Sequence, residues 1–242
     1  SRNIPLLFAD GSLGVVEGGT YGPMRFAPVD KNTLAGAAWK PLVTSAMTFK
    51  KHAFDAEVVH TEDGNGNVSW QGFRMLFVGR GTTFSPRRVR INTYDSDGNE
   101  TANWPDSALN IGTNCLNADK ECVTDGMLQV DYHTGNIEAA RMTILSNGDT
   151  VVVWTRLDPT NTYELMGRVL GANGSYKTPS IALINDNVSE DIKLVSVAAF
   201  QDDHVLIVYE QGSAVKYRIL DPNNVTAGGA DGTVHVKMVA DN

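Results

Sequence analysis

The segment TILSNGDTVVVWTR, residues 143 to 156, places a turn of Asn147 and Gly148 before an unbroken apolar run from Val151 to Trp154. An Asn-Gly pair beside an apolar segment is a strong signal for a tight hairpin turn. A short run rich in Val and apolar on successive residues predicts a strand with both faces buried. The segment therefore predicts a hairpin in the middle layer of a stacked β structure.

A polar turn, an apolar run, a second turn and a run containing Arg follow one another four times along the chain. In each copy the Arg precedes Phe, Ile or Val, and the four are Arg25, Arg90, Arg168 and Arg218. The approximate repeats are residues 1–50, 51–114, 130–190 and 191–242, with an insertion at 115–129. A unit of roughly 50 to 75 residues has the size of one four-stranded propeller blade.

The sequence thus predicts an all-β protein, a single domain built as a β-propeller-like array of about four blade-like antiparallel repeats. A four-bladed ring, a part of a larger propeller and a sandwich with internal symmetry all agree with the pattern. Runs such as Val205 to Tyr209, apolar on successive residues, are expected to be buried on both faces.

Composition excludes several classes of function. The chain has 242 residues, 42% of them hydrophobic and 20% charged, so it can bury a sizeable core. The formal charge is -8 and the densest basic cluster is Pro86–Arg90, which argues against nucleic acid as a partner. No apolar run approaches the roughly 20 residues of a membrane helix, so no transmembrane segment is predicted.

Cysteines and sequons point to the outside of the cell. Cys115 and Cys122 are expected to form a local disulfide, with two free thiols as the alternative. Five sequons lie beside turn residues and are candidate glycosylation sites: Asn67, Asn99, Asn173, Asn187 and Asn224. These features favour a secreted or surface glycoprotein.

The third repeat carries the clearest resemblance to known proteins. A Gly and Asp turn is followed by Val-Val-Val-Trp, then by Tyr, Gly-Arg-Val and Asn-Gly. This pattern resembles the degenerate β-rich, propeller-like repeats of large secreted or surface proteins of bacteria and protists. The resemblance implies an extracellular architectural or adhesive module and transfers no catalytic residue.

One turn offers oxygen ligands for a hard cation. Asp95, Asp97 and Asn99 alternate around Gly98, so their three side chains could bind calcium. No acidic residue closes the loop at the distance of the full twelve-residue calcium motif. A plain Asp-Gly hairpin turn is therefore favoured, with calcium as the alternative cofactor.

Candidate binding residues are the four repeat arginines and two tryptophans. Arginines that converge on a ring axis could clamp a carboxylate sugar, or each could hold its blade to the next. Trp70 and Trp104 lie in Gly- and Asn-rich segments, where an exposed indole could stack on a sugar or anchor a protein. Trp39 and Trp154 are expected in the core.

Catalytic patterns are incomplete. A sialidase would combine an arginine cluster with a Tyr and Glu pair, and Tyr209-Glu210 and Tyr163-Glu164 are the available pairs. The Ser-x-Asp-x-Gly-x-x-Trp turn motif of such propellers is not found. The pair Asp202-Asp203 is expected to be solvated at a turn, although carboxylates from distant strands could still meet in a cleft.

These observations favour a secreted or cell-surface, non-catalytic β-repeat glycoprotein that acts in adhesion, binding or assembly. Its partners would be a protein or glycan surface, or further copies joined through the terminal strands. The alternatives are a structural subunit of an extracellular filament or coat and a sialidase-like glycoside hydrolase.

Overall fold

The computed structural model consists of β-strands and one short 3-10 turn over the residues that it describes. These are residues 2–18, 24–30, 32–33, 35–42, 48–62, 68–80, 88–101, 105, 123–124, 127–131, 136–157, 163–188, 191–223 and 234–235. Within these ranges no helix is long and apolar enough to span a membrane.

The first half of the chain forms two sheets. The first sheet contains β1 (Arg2–Leu7), β2 (Leu13–Gly18), β3 (Arg25–Val29) and β4 (Lys40–Pro41). The second contains β5 (Thr48–Glu62), β6 (Val68–Arg80), β7 (Arg88–Tyr94), β8 (Val123–Thr124) and β9 (Met127–Gln129), in the order β5-β6-β7-β9-β8. Strands β8 and β9 come from the end of the segment that the sequence assigned to an insertion.

The second half forms two further sheets. The third contains β10 (Asn136–Ile144), β11 (Thr150–Leu157), β12 (Tyr163–Leu170) and β13 (Ile181–Val188). The fourth contains β14 (Ile192–Ala199), β15 (Val205–Gln211), β16 (Ala214–Leu220) and β17 (Val234–His235). All neighbouring strands within the sheets are antiparallel, which confirms the predicted β-propeller-like array of four blade-like sheets.

A common five-residue turn ends several of these strands. In this turn the amide of the first residue donates to the carbonyl of the fifth residue, and the amide of the fourth residue donates to the carbonyl of the first. The turn is found at residues 8–12, 95–99, 145–149 and 171–175. The fourth position is a glycine with positive φ in all four turns, for example Gly148 at 83°. Such a φ is strained for residues with a side chain, so the repeated Gly in the sequence marks these turns.

Three apolar layers hold the four sheets together. The first layer, around Phe26, Phe54 and Phe73, lies between the first and second sheets. The second layer contains Val152 and Trp154 of β11, and the third layer contains Val151 and Val153 of the same strand. All four of these residues are fully buried, which confirms that the run of the opening segment is covered on both faces.

Two burial expectations are corrected by the structure. In β15 burial alternates, so that Leu206 and Val208 are only half-buried, because an apolar layer covers one face of this strand. Trp39 was expected in the core, but 42% of it is exposed and the guanidinium of Arg25 lies over its ring, 5.1 Å from the centroid.

Candidate functional site

The first strand of the third sheet contacts the first strands of the second and fourth sheets, and residues of all three strands line a pocket. Its volume is about 590 Å³, within the range of roughly 300 to 1,000 Å³ of small-molecule sites. The polar and aromatic residues that line it include Asp55, Glu57, His60, Arg141, Phe200 and Asp203. The pocket therefore brings together three carboxyl groups and basic side chains from three sheets.

Two of these carboxyls lie side by side on β5. Phe54 and Ala56 of this strand pack into the first apolar layer. Because successive side chains of a strand point to opposite faces, Asp55 and Glu57 point the other way, into the pocket. The alternation of apolar and acidic residues in β5 thus fixes both carboxyls at the same wall.

These carboxyls contact the free edge of the neighbouring sheet. One edge of β10 pairs with β11. On the other edge the amide of Met142 donates to Asp55 Oδ2 at 3.2 Å, and the hydroxyl of Thr143 donates to Glu57 Oε1 at 3.4 Å. Glu57 also accepts a hydrogen bond from the backbone of Ile144. Acidic side chains therefore satisfy edge groups that no strand covers.

The position of Glu57 changes its protonation. Burial raises the pKa of its carboxyl, and the nearby charge of Asp55 adds to this effect. The hydrogen bonds from Ile144 and Thr143 oppose the shift, and the resulting pKa is about 7 instead of 4.5. Glu57 can therefore carry a proton near neutral pH, as a general acid must.

The third carboxyl comes from the fourth sheet. Asp203 lies in the turn between β14 and β15, and its two oxygens accept hydrogen bonds from Ser146 N at 2.8 Å and Ser146 Oγ at 2.6 Å. The turn is thereby attached to the third sheet beside the pocket. Asp202 and Asp203 both have positive φ, at 57° and 59°, a strained conformation for residues other than Gly.

The chain is similar to several solved structures over most of its length. The chain is similar to an endo-arabinase from Bacteroides thetaiotaomicron VPI-5482 over 97% of its own length and 75% of that chain, with a TM-score of 0.37. It is similar to an α-L-arabinofuranosidase from Lactobacillus brevis over 93% and 69%, with a TM-score of 0.48. It is also similar to an endo-1,5-α-L-arabinanase from Thermotoga petrophila RKU-1 over 92% of its own length and 57% of that chain, with a TM-score of 0.37. Each pair shares 12% identical residues, so the similarity concerns the fold alone.

No family model and no curated protein matches the sequence. The expectation of a non-catalytic adhesive or assembly protein is nevertheless contradicted, because the three similar structures are glycoside hydrolases. They agree better with the second alternative, a glycoside hydrolase, although none of them is a sialidase. The sequence showed no convergent carboxyl groups, whereas the folded chain brings Asp55, Glu57 and Asp203 into one pocket.

The four repeat arginines all lie on the third strand of their sheets: Arg25 on β3, Arg90 on β7, Arg168 on β12 and Arg218 on β16. None of them is among the residues that line the pocket. Arg25 pairs with Glu17 of its own sheet at 2.8 Å. Arg168 is buried, donates at 2.5 Å to the carbonyl of Val130, which directly follows β9 of the second sheet, and lies 3.9 Å from the ring centroid of Tyr176. In this arrangement Arg168 links two sheets.

The turn proposed for calcium is closed by its own hydrogen bonds. Asp95 Oδ1 accepts the amides of Asp97 at 2.9 Å and Asn99 at 2.8 Å, while Asp95 Oδ2 accepts Asn99 Nδ2. Burial acts against ionisation, but these bonds lower the pKa of Asp95. The ammonium of Lys40 donates to Asn99 Oδ1. Over the described ranges no group of three or more His, Cys, Asp or Glu could hold a metal.

Several other candidates lie wholly or partly outside the described residues. Trp104, Cys115, Cys122, Asn67 and Asn224 lie outside the described residues, as do the side chains of Trp70 and Asn187. The backbone of Trp70 belongs to β6 and pairs in register with His60. Asn99 and Asn173 are exposed at turns. In the two Tyr and Glu pairs, Tyr209 is buried and Glu164 is paired with Arg156.

Asp55, Glu57 and Arg141 were not among the candidates predicted from the sequence, and Asp203 was expected in solvent. A usable signal was present in FDAEVVH, residues 54 to 60, where acidic residues alternate with apolar ones. Charged residues at every second position of a strand predict a face that is not part of the apolar core. The folded structure shows that this face is a wall of the pocket.

Proposed function

We propose that the chain is a glycoside hydrolase domain whose active site is the pocket between β5, β10 and β14. The observation that carries the proposal is the pair Asp55 and Glu57, two carboxyls on one strand face of which Glu57 has a pKa of about 7. Glycoside hydrolases use two carboxyl groups in different protonation states, one on each side of the scissile bond.

The roles follow from the protonation of the two groups. Glu57, with its raised pKa, donates a proton to the oxygen of the leaving sugar. Asp55 acts as the second carboxyl, either by activating water or as the nucleophile. The Cα atoms of residues two apart on a strand are separated by roughly 6.6 Å, so both carboxyls line the same pocket wall.

The need to satisfy an amide at the sheet edge does not explain why residues 55 and 57 carry carboxyl groups. At the next junction the hydroxyl of Thr143 accepts the amide of Ala199 at 3.1 Å. A neutral hydroxyl therefore satisfies the same kind of edge amide, and it avoids the cost of burying an ionisable group. The use of two adjacent carboxyls between β5 and β10 supports a chemical role.

Other polar residues of the pocket suit a sugar ligand. The side chain of Arg141 lines the pocket with a guanidinium, a group of N–H donors of the kind that binds sugar hydroxyls, and it donates to Ala140 O at 2.8 Å. His60 and Ser196 add polar groups to the same walls. As part of the proposal the enzyme acts outside the cell on a polysaccharide, and the exposed sequon residues Asn99 and Asn173 support that location.

The test is the release of reducing sugar from a panel of soluble polysaccharides: arabinan, arabinoxylan, galactan, mixed-linkage glucan and polysialic acid. We expect the chain to hydrolyse at least one of them and Glu57→Gln to lose at least about a hundredfold in rate. Glu210→Gln is the matched control, since Glu210 lies on β15 away from the pocket residues. No hydrolysis by the natural sequence, or full activity of Glu57→Gln, would overturn the proposal.

A further inference from the structure

Phe200 is an exposed aromatic residue on a pocket whose other lining groups are largely polar. It follows β14, and 45% of it is exposed. A phenyl ring has no polar atom that water can satisfy, so its exposure beside carboxyl groups costs free energy in the empty protein. The ring contacts only one ring in the described part of the chain, that of His204, at 6.0 Å between centroids.

The turn that carries Phe200 shares the first hydrogen bond of the common five-residue turn and the positive φ at its fourth position. The amide of Phe200 donates to His204 O at 2.8 Å, as Phe8 N does to Ser12 O and Leu145 N does to Asp149 O. Phe8 and Leu145, at the same turn position, are buried in apolar layers. Phe200 is therefore the member of this series whose side chain lines the pocket.

The same turn departs from the others at its fourth position. Where the other four turns have Gly, this turn has Asp203, which keeps the positive φ and bonds Ser146 with both carboxylate oxygens. A strained backbone that is held by specific bonds is typical of functional sites. Its effect is to fix the segment of Phe200 against the third sheet, next to the carboxyl-lined wall.

We propose that Phe200 is the platform on which one sugar ring of the substrate stacks. The ligand is a neutral sugar with an apolar C–H face, because a flat ring contacts such a face while the polar walls bind the hydroxyls. The assignment rests on the proposed function, since it places a binding position of the same pocket. It makes Phe200 a residue for sugar binding and not for proton transfer.

The test measures binding and turnover separately. Binding of hexasaccharides of 1,5-linked arabinose, 1,4-linked xylose and 1,4-linked glucose is measured by calorimetry in the Glu57→Gln background, which prevents turnover. We expect at least one of them to bind, Phe200→Ala to weaken that binding at least tenfold, and Phe200→Tyr to stay within threefold. Phe200→Leu, which is apolar but not flat, should bind as weakly as Phe200→Ala.

Trp39→Ala is the matched control, because Trp39 is also a large aromatic residue that is partly exposed, but it does not line the pocket. This variant should bind like its parent. Phe200 is exposed, so Phe200→Ala is expected to fold, and its thermal midpoint verifies this. With active protein, Phe200→Ala should raise KM and leave kcat within threefold.

The outcomes separate the two proposals. Sugar binding that depends on Phe200, without hydrolysis of any polymer, would retain the platform and overturn the hydrolase. Hydrolysis by the natural sequence, with an unchanged KM in Phe200→Ala, would retain the hydrolase and overturn the platform. If none of the hexasaccharides binds, or if Phe200→Ala changes the particle mass in solution but not sugar binding, the platform is wrong.

Discussion

Glu57 Oε1 lies 3.4 Å from Thr143 Oγ1 across the junction of the second and third sheets. The same hydroxyl accepts the amide of Ala199 at 3.1 Å, so Thr143 connects a carboxyl of the second sheet to the fourth sheet. Its donation to Glu57 favours the ionised carboxylate and lowers the pKa, against the larger effect of burial. One hydroxyl thus influences both the pocket wall and its proton.

Replacement of Thr143 by Val should raise the pKa of Glu57 above its value of about 7, because the donated hydrogen bond is lost. Thr143→Ser keeps the hydroxyl and should leave the pKa close to that of the natural sequence. The measurement is a titration of the Glu57 side-chain carboxyl carbon by NMR, which does not depend on knowing the substrate. An unchanged or lower pKa in Thr143→Val would show that this bond does not act on Glu57.

The raised pKa of Glu57 also predicts how stability depends on pH. The unfolded carboxyl loses its proton near pH 4.5 and the folded one near pH 7, so between these values the folded state binds more protons. The contribution of Glu57 is therefore fully present below about pH 4.5 and is lost as the pH rises through about 7, a change of about 3 kcal/mol.

The measurement is urea unfolding of the natural sequence and of Glu57→Gln at about pH 4.5, 6 and 8. We expect the difference in unfolding free energy between the two proteins to shift steadily in favour of Glu57→Gln as the pH rises. Glu210→Gln, which keeps Glu57, is measured in parallel as the control. Parallel pH curves for the natural sequence and Glu57→Gln would contradict the prediction.

Arg74 is predicted to be a main determinant of the junction between the second and third sheets. It is buried, and its guanidinium donates to Gly148 O and Ala172 O, each at 2.8 Å, and to Thr150 Oγ1. Arg74→Met leaves these buried acceptors without their donor, so we expect a loss of about 3 kcal/mol or more.

Arg25→Met is the matched control, since the side chain of Arg25 is 42% exposed in its pair with Glu17. An exposed ion pair contributes about 0 to 1 kcal/mol, so this variant should change the free energy of unfolding little. Chemical denaturation of both variants gives the comparison. Equal losses in the two proteins would show that the bonds of Arg74 contribute no more than a surface pair.

Gly72 is predicted to be intolerant of any side chain. Its φ is 104°, and a Cβ at this position would lie 2.0 Å from Tyr94 O. Gly72→Ala should therefore destabilise the protein by at least about 2 kcal/mol, through backbone strain and displacement of β7. Gly36→Ala is the control, because nothing lies within 4 Å of its added Cβ. Similar thermal midpoints for the two variants would contradict this prediction.

The sequence predicts the second and third strands of each sheet better than the first. The apolar run Val151 to Trp154 and the repeat arginines mark β11, β3, β7, β12 and β16, because each of these strands has a neighbouring strand on both sides in its sheet. β5 and β10 carry Asp55, Glu57 and Arg141, whose side chains line the pocket. Their mixed composition differs between repeats, so the repeat pattern does not include them.

The residues of the candidate site lie far apart in the sequence, so their proximity could not be predicted from it. Asp55 and Met142 are separated by 87 positions, and Ser146 and Asp203 by 57, yet each pair is joined by a hydrogen bond. Asp203 in a Gln-Asp-Asp turn resembles a solvated turn residue in the sequence. Only the stacking of the third and fourth sheets brings Ser146 to its carboxylate.

Because β5, β10 and β14 each supply one wall, the pocket belongs to a group of three consecutive repeats and to none of them alone. Duplication of a single repeat during evolution would copy a scaffold unit without copying the chemistry. Conversely, substitutions on one first strand can alter the pocket while the apolar layers between sheets stay intact. Such a division lets the pocket diversify faster than the apolar layers that support it.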